Sequence, residues 1–315
     1  MVANSRVSLG GYGWKDPTTD AYVAILGLAI IIIVSCIVST RSFERTNAER
    51  RDRLRSKGYV VAAWFILFYL VLALIQTIVT ESNAAVTRWW FIIYIISSLA
   101  WKVADILILA ITLRIIHHER FLAREGKAAT TRALSTFNAV TVYILAVVSL
   151  INFGLLVYQT TYAIRGTYTN YRDLYNVSLA IVDTRIAYQA IYLIASIFVI
   201  ARSAYLITHQ KSKASIILTA IIGPSFFATT LLGLVNLCLN LTASSSQRYS
   251  TLVDLQWAAT FIYIFANIFI YVSIAAIGRT RVLVENEAVL PHKDETTEAE
   301  SGLSYQNERM KRLSS

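Results

Sequence analysis

The sequence predicts an all-α, polytopic membrane protein, a bundle of seven transmembrane helices, and three observations predict it. Hydrophobic residues make up 56% of the 315 residues and charged residues only 15%, where a soluble chain carries roughly 25% charge. The apolar residues fall in continuous blocks, each long enough to cross about 30 Å of hydrocarbon at about 1.5 Å per residue. Basic residues crowd into every second gap between those blocks. A soluble enzyme, a disordered chain and a secreted disulfide scaffold are excluded. The blocks do not alternate polar with apolar, so of the two structures that satisfy their backbone groups in lipid, helices are predicted and a β-barrel is not.

In chain order the first block covers residues 21–40. What precedes it lacks the basic n-region and short h-region of a cleavable signal peptide, so the first span is expected to act as its own insertion signal. The second covers 59–80, the third 89–116, the fourth 137–158 and the fifth 177–207. The third and fifth are overlong for a perpendicular crossing and are expected to tilt or to emerge beyond the lipid as helix. The sixth, 215–239, contains Gly223-Pro224, the one proline inside any span, and the seventh covers 255–277. Trp89, Trp90 and Trp257 at one set of span ends and Trp64 near the other are placed as interfacial aromatics should be.

Lys and Arg set the orientation. Residues 41–57 hold seven basic residues, 114–132 five, 202–213 three and the segment after Gly278 six. Against these 21, the intervening segments hold 6: Arg6, Lys15, Arg88, Arg165, Arg172 and Arg248. The N-terminus is therefore expected outside and the C-terminus in the cytoplasm. The organisation follows: an extracellular or lumenal segment 1–20, a transmembrane domain 21–278 and a cytoplasmic, disordered tail 279–315. A short apolar run at 282–290 is a candidate helix along the inner leaflet, ended by Pro291. The net charge of +10 belongs to a cytosolic surface facing anionic lipid, and no nucleic-acid function is needed to explain it. Two sequons, Asn176-Val177-Ser178 and Asn240-Leu241-Thr242, fall on the expected outer side and are glycosylation candidates.

Four ionisable groups sit well inside apolar spans: Lys102 and Asp105 in the third, Asp183 and Arg185 in the fifth. Charge at membrane depth is costly, so each is expected to face the interior and find a partner. Lys102 and Asp105 are three apart, on one helical face and within reach of each other. Asp183 and Arg185 are two apart and point in different directions, so their partners lie elsewhere, with the third span an obvious source. The functional expectation is a polar centre of Lys102, Asp105, Asp183 and Arg185, with Trp101 close enough to offer its ring to a cation. The alternatives are an ion-pair network that fixes helix register, or an interfacial position for Asp183 and Arg185 if the hydrocarbon begins near Ile186. Gln189, Asn236, Gln256 and Asn267 are candidates to extend the network. Pro224 removes a helical hydrogen bond and is expected to kink the sixth span, as a hinge or as a static bend.

No metal site or cofactor is expected. His117 and His118 are adjacent rather than four apart, and Cys36 and Cys238 lie near opposite ends of their spans. There is no nucleotide loop, nucleophile elbow or Asp-rich diphosphate motif, and the last span has no lysine for a retinal Schiff base.

The layout of seven spans, outside N-terminus, basic inner loops and a Ser/Thr-bearing tail resembles the G-protein-coupled-receptor topology. It is more similar still to the fungal seven-span integral membrane proteins. The resemblance covers about residues 20–280 and is one of architecture. Leu113-Arg114-Ile115 stands where rhodopsin-like receptors carry an acidic-Arg-aromatic triplet, and Asn267 is followed by Ile268 rather than proline.

Three functions follow as expectations. The first is a receptor-like sensor of an extracellular or lipid ligand, hinging at Pro224 and meeting a cytoplasmic signalling partner at the basic loop 114–132. Thr296, Thr297, Ser301 and Ser304 are its candidate phosphosites. The second, suggested by fungal seven-helix terpene cyclases, is an intramembrane enzyme with Asp105 or Asp183 as the acid. The third, a lipid or small-molecule transporter, lacks the internal repeat and the Gly- and Pro-rich broken helices such proteins use. In each case the lipid bilayer is the constant partner, in the plasma membrane or an endomembrane.

Overall fold

A computed structural model describes residues 6–8, 17–46, 53–82, 85–87, 90–123, 128–165, 171–209, 213–242 and 247–289. The helices are α1 (Pro17–Thr46), α2 (Arg53–Glu81), α3 (Phe91–Ala123), α4 (Ala128–Arg165) and α5 (Tyr171–His209), then α6 (Lys213–Ile217), α7 (Gly223–Thr242) and α8 (Gln247–Val289). A π-helical turn, Leu218–Ile222, joins α6 to α7 without a break, so the three form one span. Seven helical stretches are long and apolar enough to cross a membrane, and their ends differ from the seven blocks read in the sequence by at most four residues. The chain is thus an all-helical, multi-pass membrane protein by length and composition.

Local chemistry explains the helices. Pro17 opens α1, where its missing N–H costs nothing, and Asp20 and Asp173 sit in the first turns of α1 and α5, where a negative charge meets the positive end of the helix dipole. Hydroxyls inside the spans bond back to their own helix, as Thr77 Oγ1 does to the Ala73 carbonyl (2.9 Å) and Thr112 Oγ1 to that of Ile108 (2.9 Å). These hydroxyl donors are satisfied within their own helix. Large apolar side chains such as Ile31, Val38, Tyr143, Leu150, Ile194 and Phe269 are exposed, an outer surface suited to hydrocarbon.

The chain forms two compact units, Met1–Ile274 and Ala275–Ser315. In the first, consecutive helices pack together from α1 to α5, α3 also touches α5, and α7 packs on α5. The N-terminal part of α8 reaches α1 through Tyr22 and Trp257, whose rings meet edge-on at 5.5 Å. It is clasped to α2 by two hydrogen bonds: Tyr59 Oη donates to the Tyr271 carbonyl (3.1 Å) and Tyr271 Oη to the Ala62 carbonyl (3.2 Å). In the second unit the helix continues to Val289, so the run expected along the inner leaflet is helical from 282 to 289. The remaining tail, with Thr296, Thr297, Ser301 and Ser304, lies outside the described residues.

One element was not expected. Strand β1 (Arg6–Ser8) pairs antiparallel with β2 (Ala85–Thr87) in the α2–α3 connection, Val7 facing Val86. Three-residue strands are too short for period-two alternation to reveal them, and only the β-branched Val7, Val86 and Thr87 favour them.

Candidate functional site

The two charges of the third span are inside the bundle: Lys102 is 6% exposed and Asp105 8%. They face different neighbours. Lys102 Nζ donates to Asn152 Oδ1 of α4, and lies over the ring of Tyr188 of α5 at 5.4 Å from its centre. Asn152 is fully buried and passes the link onward, its Nδ2 donating to the Ile181 carbonyl (3.2 Å) and to Thr184 Oγ1 (2.7 Å) on α5. Asn152 thereby ties three helices to one ammonium.

Asp105 turns to α8. Tyr263 Oη donates to Asp105 Oδ1 at 3.4 Å, and Tyr192 Oη of α5 donates to the Asp105 backbone carbonyl at 3.2 Å. Trp101, one turn earlier, holds its indole N–H near the same carboxylate without reaching hydrogen-bond geometry. Its ring packs edge-on against Tyr263 (5.3 Å) and tilted against Tyr69 (6.0 Å). The result is a carboxylate in an aromatic wall drawn from α2, α3, α5 and α8. The ring beneath the Lys102 ammonium is that of Tyr188, where the sequence pointed to Trp101.

Spacing three apart therefore placed Lys102 and Asp105 on one face, as expected, while their nearest hydrogen-bonding partners are neutral side chains of other helices. Direct contact would satisfy both charges within α3. The observed arrangement uses each of them to hold another helix.

Asp183 and Arg185, expected from the sequence to face the interior, are instead exposed on either side of Thr184 on α5, although the Arg185 charge is near enough to be felt at Lys102. The apolar stretch of α5, Asp173–Thr208, is 36 residues long. At about 1.5 Å per residue that exceeds the roughly 30 Å of a hydrocarbon core by a wide margin. Exposed charges are least costly at the water interface, and the excess length lets Asp183 and Arg185 lie there. Of the amides named from sequence, Asn267 donates to the Tyr263 carbonyl (2.9 Å), and Gln189 packs against Gly233, where an added Cβ would meet its amide at 2.9 Å. Asn176 is exposed on α5, and Asn240 lies within α7, in a stretch whose side chains are outside the described residues.

At Gly223-Pro224 the helix widens instead of breaking. The Gly223 N–H bonds to the Leu218 carbonyl, the five-residue reach of a π-turn. A proline ring clashes with the carbonyl four residues before it in an α-helix, and the wider turn moves that carbonyl aside. Gly223 also lets the span approach α5, because a Cβ there would stand 2.9 Å from Ile200 Cγ1. Nearby, Ser196 of α5 and Thr230 of α7 share a hydrogen bond (3.3 Å), and Tyr192 packs against Phe226 at 5.9 Å.

Sequence reasoning missed Asn152, Thr184, Tyr188, Tyr192 and Tyr263. For Asn152 there was a signal: a lone amide in the middle of an apolar block. The tyrosines carried none, since interfacial and interior tyrosine look alike in sequence. Among the described residues no group of three or more His, Cys, Asp or Glu is placed to hold a metal ion. No family model, curated protein or solved structure matches this chain.

Proposed function

We propose that this chain is a receptor-like sensor with its N-terminus outside and its C-terminus in the cytoplasm. In this reading an extracellular or lipid ligand shifts an equilibrium between two packings of the bundle. The observation that carries it is the division of the two α3 charges: Lys102 holds α4 and α5 through Asn152, and Asp105 holds α8 through Tyr263. A ligand that perturbs either charge changes how α3 is held against its neighbours. The π-turn and Pro224 supply a bendable element in the sixth span, which packs against α5, and the basic segment 114–132 supplies a surface for a cytoplasmic partner.

The test needs no ligand. Spin labels at Arg114 and Lys213, both exposed, in a full-length chain with Cys36 and Cys238 replaced by serine, report the distance between α3 and the sixth span in lipid nanodiscs. The sensor reading expects two distance populations whose ratio changes in Asp105→Asn and in Pro224→Ala. A single population indifferent to both substitutions overturns it. Protease access to tags at the two ends in sealed vesicles tests the orientation.

One observation favours the intramembrane enzyme as a second reading. Asp105 is buried among Trp101, Tyr69, Tyr192 and Tyr263, and aromatic faces stabilise a carbocation as they do any cation. A protonated Asp105 would give its proton to an alkene or epoxide of a terpenoid lipid. Asp183, being exposed, is not suited to this role. Turnover of a polyprenyl epoxide by microsomes, abolished in Asp105→Asn, supports this reading, and no turnover by the unaltered protein removes it.

A further inference from the structure

Arg41 and Lys57 stand at one face of the membrane. Arg41 is the last residue of the apolar stretch of α1 and Lys57 the first of that of α2, and the two helices pack side by side. The Cα–Cβ bonds of a helix tilt towards its N-terminus, so Lys57 is turned out towards water while Arg41 is turned back along α1 into the membrane. Its guanidinium lies over the ring of Trp64, 5.9 Å from the centre, two helical turns into the α2 stretch. The pair is on the outside of the bundle: Arg41 is exposed and Trp64 is 49% exposed. A ring face attracts the charge but accepts none of the N–H bonds in the plane of the guanidinium. Among the described residues neither Arg41 nor Lys57 has a hydrogen bond or an ion pair. A basic side chain near a span end ordinarily carries its charge out to water. One held inward by an indole needs an anion at the same depth.

We propose that Arg41, Trp64 and Lys57 form a binding site for one anionic phospholipid, in the leaflet where the first span ends. The guanidinium, fixed on the indole, donates side by side to two phosphate oxygens. The Lys57 ammonium, nearer the water, faces the part of the head group beyond the phosphate. In phosphatidylcholine a cation occupies that place, so an anionic head group is favoured. Val38 of α1 and Val61 and Phe68 of α2 are exposed beside the pair and offer the acyl chains an apolar surface. Position commits the site to a lipid: the stacked pair lies on the perimeter of two apolar stretches, where lipid phosphates are the nearest anions. An acidic protein segment would have to enter the bilayer to reach it. Diffuse attraction of basic loops to an anionic surface would not single out Trp64, whereas a guanidinium stacked on its ring does. The site stands whether the chain is a sensor or an enzyme.

Tryptophan emission of the full-length protein tests it, in phosphatidylcholine nanodiscs carrying a small share of bromine-labelled phosphatidylglycerol or, at the same share, bromine-labelled phosphatidylcholine. Bromine quenches an indole that it touches, and the emission missing from Trp64→Phe is the part that belongs to Trp64. The labelled anionic lipid should quench that part more strongly than the labelled phosphatidylcholine. Arg41→Gln should lower the preference about fivefold, the factor that one basic residue contributes near an anionic lipid surface, and Lys57→Gln should lower it by less. Equal quenching by the two lipids in the unaltered protein overturns the proposal, as does a preference that survives Arg41→Gln. Lys57→Gln removes a side chain with no partner among the described residues, so it carries the test if Arg41→Gln folds poorly, and an unchanged preference there overturns the proposal too.

Discussion

Replacing Asn152 by alanine removes the acceptor of the Lys102 ammonium and two donations to α5 at once. A hydrogen bond to a charged group contributes about 1.5–3 kcal/mol and a neutral one about 0.5–1.5 kcal/mol. The neutral pair counts for little here, since Thr184 Oγ1 keeps its own bonds to the Ala180 and Ile181 carbonyls. Bonds between membrane helices also run weak, about 0.6 kcal/mol on average, because the unfolded chain in lipid finds partners too. The stranded ammonium dominates, and the expected loss is about 2–4 kcal/mol. Reversible unfolding of the purified protein in mixed micelles, followed by circular dichroism, measures it. Lys102→Met in the same background removes the cation that was stranded. The double variant should then lose less than the two single losses combined, by about 1.5–3 kcal/mol. A loss below about 0.5 kcal/mol for Asn152→Ala, or additivity to within about 0.5 kcal/mol, would falsify the claim that Asn152 is the partner of Lys102.

Gly223→Ala places a Cβ 2.9 Å from Ile200 Cγ1 and 3.3 Å from the Leu218 carbonyl, so thermal unfolding should show a loss of about 1–3 kcal/mol, part of it recovered by adding Ile200→Ala. Gly233→Ala should cost less, since its Cβ meets the end of the flexible Gln189 side chain. Tyr59→Phe and Tyr271→Phe each delete one bond of the α2–α8 clasp; about 1 kcal/mol apiece is expected in the same assay, and no loss in either would show the clasp to be incidental. Asp183→Asn and Arg185→Gln alter exposed side chains and should each stay within about 0.5 kcal/mol of the unaltered protein; a larger loss would show that one of them has a buried partner.

The fold was legible because the membrane imposes a length and an apolar continuity that appear directly in the chain. What the hydropathy blocks did not contain was the direction of each side chain. Spacing put Lys102 and Asp105 on one face, but their partners, Asn152 and Tyr263, come from helices distant in sequence. Asp183 and Arg185 sit in an apolar run that outlasts any bilayer, so the block alone could not say where along it the hydrocarbon begins. Pro224 announced a disturbance in the sixth span. Its form, a widened turn at Leu218–Ile222, depends on Ile200 of the neighbouring helix and on a glycine that admits it.

The route from the polar centre to that turn is short and consists of Tyr192. Its hydroxyl donates to the Asp105 carbonyl at 3.2 Å, and its ring packs on Phe226, two residues beyond Pro224. Spatial intermediacy alone does not establish coupling, but two substitutions separate the hydroxyl from the ring. Tyr192→Phe keeps the packing and deletes one hydrogen bond, for an expected loss of about 1 kcal/mol. Tyr192→Ala deletes both and leaves a cavity against Phe226, costing about 3–5 kcal/mol as large aromatic truncations do. If packing carries the coupling, Asp105→Asn should still change the Arg114–Lys213 distance populations in the Tyr192→Phe background and lose that effect in Tyr192→Ala. If the effect of Asp105→Asn is already gone in Tyr192→Phe, the hydrogen bond to the α3 backbone is the connection. Should Asp105→Asn act equally in both backgrounds, Tyr192 is a core residue only, and the polar centre and the π-turn are independent features of one bundle.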